Sequence, residues 1–187
     1  MLNNDLSKIP KYKLPQGFSV KTYRSGDENE WARIEHAAGE FKTRAEGLEH
    51  FNVEFGPFLS EFHERCFFIE TSRGEKIGTA TAWYNKDFLG RPYGRLHWVA
   101  IVPQYQGKKL SKPLVRFAME RMKKYHDCAY LTTQTTTHKA VLLYLQFGFT
   151  PFINNAESLR GWRILAHNLN HPVLKHFVDQ MDTTEKI

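Results

Sequence analysis

The sequence predicts one α/β domain of the α+β type, built on a mixed sheet that is antiparallel early and parallel where helices intervene. Three observations carry this prediction. The 187 residues are close to the size of a single domain, about 150 residues. Hydrophobic residues make up 41% of the chain, enough for a core without metal or disulfide staples. Runs of strand and helix periodicity follow the order β-α-α-β-β-β-α-β-α-β-β, and three consecutive strands exclude a fully doubly wound sheet.

Residues 1–17 contain Pro10 and Pro15 among mixed polar residues and read as an extended arm. Phe18, Val20 and Tyr23 begin a β-prone run. Gly26-Asp27 opens a helix with Trp31, Ile34 and Glu35 at helical spacing. A second helical stretch spans about Arg44–His63, interrupted at Gly56-Pro57. Its Phe51, Phe55, Phe58 and Phe62 read as core or pocket wall, and Glu40, Glu46 and Glu49 as solvated acids. Cys66–Thr71 is a short apolar strand. In Lys76–Tyr84, Ile77, Thr79, Thr81 and Trp83 face one way, while Gly78, Ala80, Ala82 and Tyr84 face the other. That small-residue face predicts a closely packed neighbour. Asn85–Gly94 reads as a loop, and Arg95–Val102 as a strand stopped by Pro103.

Pro113 suits the first turn of a helix striped by Leu114, Phe117, Ala118, Met122 and Tyr125. Tyr130–Thr135 is a β-branched strand, the fifth. Thr137 caps a helix over Ala140–Phe147 that ends at Gly148. Phe149–Ile153 and Trp162–Leu169 read as two last strands, and Pro172–Met181 as a short helix. The domain is thus expected over 18–169, between the arm and a 170–187 tail.

Lysines and arginines exceed acids by 26 − 20 = +6, which favours anions without saying which. No nucleic-acid-binding motif is recognisable and the basic residues are spread out, so nucleic acid is not the expected partner. No apolar run approaches the roughly 18 residues that a membrane span needs, and the N-terminus has no apolar h-region. Only Cys66 and Cys128 are present, which excludes a disulfide framework or a multi-cysteine metal site and reads as buried thiols in a reducing, cytoplasmic protein. No metal is expected.

The informative segment is Leu96–Leu114, LHWVAIVPQYQGKKLSKPL, in which a strand leads through a basic glycine-containing turn into a helix. Helix-start amides lack intrahelical partners, and with the helix dipole they make an anion site. Lys108, Lys109 and Lys112 add positive potential. Neither GxxxxGK[ST] nor GxGxxG is present, so this is neither a Walker loop nor a dinucleotide fingerprint.

Here the chain resembles the GNAT superfamily of N-acetyltransferases. The strand, Pro103 and Gln106-Gly107-Lys108-Lys109-Leu110-Ser111 are similar to that family's (Q/R)-x-x-G-x-(G/A) loop. Tyr144-Leu145-Gln146-Phe147-Gly148-Phe149 is similar to its Y-x-x-x-G-F helix end. The chain departs at Lys109, which takes the glycine place, and at Ser111. The resemblance implies a cleft between the fourth and fifth strands that holds acetyl-CoA as co-substrate. Its pantetheine arm would pair with Val99, Ala100 and Ile101, and its diphosphate with Gln106, Gly107, Lys108, Lys109, Leu110 and Ser111. Thr137 would stand near the pantetheine. A primary amine of a small molecule or peptide would attack the thioester directly. His97 stands at a strand position where many members carry a glutamate, and would be the general base; Tyr144 would be the general acid. Strand alternation puts His97, Val99 and Ile101 on one side, so base and backbone pairing require a local bulge. A non-catalytic acyl-CoA binder is the alternative, motivated by Lys109 and Ser111. A homodimer could form through the exposed edge of Trp162–Leu169.

Overall fold

A computed structural model describes residues 1–184. Six strands form one sheet in the order β1-β6-β5-β4-β3-β2. They are β1 (Leu2–Asn3), β2 (Phe18–Thr22), β3 (Cys66–Thr71), β4 (Lys76–Phe88), β5 (Arg91–Ile101) and β6 (Ala129–Tyr130). All neighbours are antiparallel except β5 and β6, which are parallel because a helix crosses between them. The helices are α1 (Glu28–Ala38), α2 (Arg44–Glu54), α3 (Leu59–Arg65), α4 (Ser111–Met122), α5 (His138–Gln146), α6 (Ala156–Leu169) and α7 (Pro172–Thr184).

α1 ends where Gly39 takes a left-handed backbone (φ 95°), and α2 starts on a capping box between Thr43 and Glu46. The break at Gly56-Pro57 is a short 3-10 turn between α2 and α3. The two faces of β4 are covered as its alternation predicts. Trp83 packs edge-on against Phe55 at 5.1 Å and near Phe62 at 6.1 Å, on the side of α2 and α3. The small face lies under α4, which approaches so closely that a Cβ on Gly94 would sit 2.4 Å from Met122. Phe51, Phe55 and Phe62 are fully buried; Phe58 is exposed. Both cysteines are buried and free.

Four readings are corrected. Trp162–Leu169 is not a strand but the second half of α6, so the sheet edge proposed for pairing a second copy does not exist there. Asn155 and Ser158 cap this helix reciprocally, and Trp162, Leu165 and Ala166 turn its apolar side inward. Phe149–Ile153 contributes only a single bridge, Thr150 to Leu2. The loop expected over Asn85–Gly94 shrinks to Leu89-Gly90, both with positive φ, so β4 and β5 form one long hairpin. The strand expected over Tyr130–Thr135 pairs only at Ala129–Tyr130.

Residues 1–17 are in part docked: Leu2–Asn3 forms the sheet edge beside β6, and Leu6 is buried. Of the tail, α7 extends to Thr184, and the remaining residues 185–187 lie outside the described part.

Candidate active site

β5 pairs with β6 only at Gly94 and Arg95. Beyond that point β5 has no partner on this edge, and a cavity of about 770 Å³ opens between it and the start of α5. Val99, Ala100 and Ile101 of β5 form one wall; Tyr105, Gln106, Gly107, Lys109, Leu110 and Ser111 form the floor; Thr137, Ala140, Leu143 and Tyr144 close the far side. The loop and strand that the sequence singles out are therefore together in one cleft.

The loop presents its backbone to that cleft. Among the described residues, no intramolecular acceptor meets the amides of Gly107 to Lys112 at the start of α4. The Gln106 side chain folds back and donates to the Ile101 carbonyl at 2.9 Å, tying the loop to the strand. Gly107 and Lys109 both have positive φ, 78° and 61°. Lys109 thus holds a left-handed backbone that a glycine would adopt freely. The three lysines separate: Lys109 lines the cleft, whereas the Lys108 ammonium sits over the Tyr105 ring at 4.3 Å and that of Lys112 over Tyr12 at 5.0 Å. Lys108 is not among the cleft-lining residues.

Tyr144 projects from α5 into the cleft. Burial raises its phenol well above the usual range, with the acidic side chains of Glu35 and Glu40 adding to this, so the hydroxyl stays protonated at neutral pH. Thr137 begins α5, but its hydroxyl donates to the Gln134 carbonyl at 2.8 Å instead of capping the helix.

His97 is not part of the cleft lining. The required bulge is present: Thr81 pairs with His97 and Thr79 with Ala100, so both Trp98 and Val99 stand opposite Ala80, with Trp98 at φ 49°. The bulge turns His97 toward α2 and leaves Val99 on the cleft wall. There His97 meets Glu54, the last residue of α2, with Nε2 at 2.8 Å from Oε1. The indole Nε1–H of Trp98 donates to Glu54 Oε2 at 2.8 Å, and His50 Nε2 lies 2.9 Å from the same oxygen. The Arg95 guanidinium is 3.8 Å from Oε1. Burial alone would raise the Glu54 carboxyl, but the hydrogen bond and charge of His97, with the bonds from Trp98 and His50, pull it down to about 2. Burial holds His97 below its ordinary value against the pull of Glu54, and Arg95 and His50 add repulsion. At neutral pH the pair is therefore a neutral imidazole beside a carboxylate.

Glu54 was not legible as a site residue, because 43 positions separate it from His97 and no local pattern links them. A second cavity of about 490 Å³ lies beside α6, between Phe88, Tyr130, Gln134, Phe152 and Trp162. Among the described residues there is no cluster fit to hold a metal ion, and no helix long and apolar enough to cross a membrane.

Residues 30–149 match the profile of the acetyltransferase (GNAT) family. The chain is 31% identical over 124 residues to an N-acetyltransferase 8B of Mus musculus, covering 65% of this chain and 53% of that protein. It thus spans about half the length of that relative. A GCN5-related N-acetyltransferase from Ralstonia eutropha JMP134 shares the fold, with a TM-score of 0.60, 18% identity and 75% of this chain and 97% of that one covered. So does a NatC complex bound to Gag peptide and CoA, with a TM-score of 0.57, 18% identity and coverages of 74% and 87%. With a family match over most of its sheet and a cleft at the expected parting of the strands, the chain belongs to the GNAT family of acetyltransferases.

Proposed function

We propose that the protein transfers an acetyl group from acetyl-CoA to a primary amine of a small molecule or peptide, by direct attack and without an acyl-enzyme. The observation that carries this reading is the joint geometry of the cleft: free amides at the start of α4, the open edge of β5 and a protonated phenol on α5 around one cavity. A diphosphate would meet the amides of Gly107 to Ser111 with the helix dipole behind them and Lys109 alongside. A pantetheine arm would run along Val99–Ile101.

His97 removes a proton from the acceptor ammonium, directly or through a water, on the α2 side of the bulge. The amine then attacks the thioester carbonyl, with an oxyanion donor supplied by a main-chain N–H near Val99 or Ala100. As the carbon–sulfur bond breaks, the Tyr144 phenol protonates the leaving thiolate and is reprotonated from the amine nitrogen. One acetamide, one thiol and one proton result. The acceptor class rests on the family and on relatives whose names include a peptide-bound complex and an N-acetyltransferase.

The test is release of free CoA thiol from acetyl-CoA across a panel of amines and peptides. We expect release with at least one acceptor, and a fall of roughly 10²–10⁴-fold in His97→Ala. Activity should be lost as pH falls through the lowered His97 value, because the base must be unprotonated. Stabilisation by acetyl-CoA with no thiol release from any acceptor would instead identify a non-catalytic acyl-CoA binder.

A further inference from the structure

We infer that Glu54 is the positioning residue of this site: its carboxylate fixes which nitrogen of His97 is basic and at the same time anchors the bulge that turns His97 away from the cleft wall. The inference rests on the reading of His97 as general base and goes beyond it, since the family match spans the end of α2 without giving it a role.

The carboxylate collects partners from two elements. Oε1 faces His97 Nε2, and Oε2 faces both the Trp98 indole and His50. An ionised carboxylate only accepts hydrogen bonds, so the facing nitrogen of His97 carries the hydrogen. The lone pair is thereby assigned to Nδ1, the nitrogen left free for the substrate proton. When that proton arrives, the imidazolium forms against a carboxylate whose burial the bonds from Trp98 and His50 already offset in part.

The second task follows from Trp98. A tryptophan at φ 49° is strained, and strain of this kind persists only where surroundings over-determine it. Here the indole is held by Glu54 at one end and stacked on Phe41 at 5.3 Å, with Trp31 edge-on at 5.2 Å. Without the bulge, His97 and Val99 would face the same way and the base would compete with the coenzyme for one wall. The charged or titratable groups facing His97 are Glu54 and His50 from α2 and Arg95 from β5; Phe55 and Trp98 supply the remaining ring contacts. Glu54 is the one acid among them.

The experiment compares Glu54→Gln, Glu54→Asp and His97→Ala, reading kcat and KM against pH, with long-range ¹⁵N NMR of the unsubstituted protein to read the His97 tautomer. Expected are an Nε2–H tautomer at pH 7, and a Glu54→Gln kcat reduced about 10²-fold or more with the KM for acetyl-CoA unchanged. The acid limb should also move to lower pH, because the neutral amide no longer favours the imidazolium. Glu54→Asp should restore part of kcat and move the limb back. An Nδ1–H tautomer overturns the inference without any variant. An unmoved acid limb in Glu54→Gln, with His97→Ala inactive, overturns it while leaving His97 as the base. A fully active His97→Ala overturns both.

Discussion

Lys109 sets backbone comfort against charge, and two substitutions separate them. Its φ of 61° places an L-residue in the left-handed region, where a glycine would sit without strain. That conformation costs a residue with a Cβ roughly 1–2 kcal/mol. Lys109→Gly removes this cost but gives back about 0.4–1 kcal/mol through the freer unfolded chain. The net is a gain of about 0.5–1 kcal/mol, or a Tm rise of roughly 1–4 °C for a domain of this size. Lys109→Ala keeps the Cβ and gains nothing. Both variants lose an exposed ammonium on the cleft floor, worth about 0.2–1 kcal/mol toward a diphosphate, so both should bind acetyl-CoA up to about 5-fold more weakly at low salt. The difference between them should shrink to nothing in neither assay: glycine should exceed alanine in Tm and, because its amides close more freely on the ligand, in affinity. Thermal unfolding and calorimetric titration read the two quantities. A glycine variant less stable than the alanine variant would refute the backbone assignment, and unchanged affinity in both would remove the Lys109 charge from the binding site.

Two further substitutions probe the frame around the site. Gly94→Ala should cost roughly 1–3 kcal/mol of stability, because the new Cβ would fall 2.4 Å from Met122 Cγ and Sδ, where α4 rests on β5; an unchanged Tm would show that Met122 swings aside at no cost. Glu35 is fully buried with Oε1 unpartnered, and burial, then the nearby Glu40, raises its carboxyl well above the ordinary value. A group raised in the folded state binds its proton more tightly there, so its contribution is intact below the unfolded value of about 4.3 and is lost as pH rises toward the folded one. Glu35→Gln should therefore raise Tm more at pH 8 than at pH 5, and an equal shift at both would contradict a buried, protonated Glu35.

The cleft-lining loop, the place of Tyr144 beside it and the need for a bulge were legible because each is a local property of the chain. A strand–turn–helix junction exposes amides whatever surrounds it, and alternation along Arg95–Val102 is a matter of counting. The second half of α6 was misread because Trp162 and Ile164 look β-prone by type. The helical signals were present in the Asn155–Ser158 cap and in the spacing of Trp162, Leu165, Ala166 and Leu169. Glu54 is a different case. Its role comes from α2 ending against β5, a tertiary fact with no trace in the residues around it.

The misread fifth strand shows why the cleft exists at all. Leu131 to Thr136 is rich in threonine and strand-prone, and if it paired along β5 as its composition invites, the gap between the two strands would close. Pairing stops after Arg95 and Tyr130, and two residues further along β5 lies His97, next to the bulge residue Trp98. A bulge bends its strand and increases the local twist, so the edge of β5 beyond it leaves the plane in which β6 could follow. What holds Trp98 in its strained backbone is Trp31 of α1, Phe41 of the α1–α2 connection and the carboxylate of Glu54. The same helix end that holds His97 thus also keeps the cleft between β5 and α5 open. Glu54→Gln keeps a carbonyl oxygen for the Trp98 indole and with it the gap, whereas Glu54→Ala loses the anchor and should be felt on both sides of the sheet, as a changed proton affinity at His97 and a raised KM for acetyl-CoA from a narrowed gap at Val99.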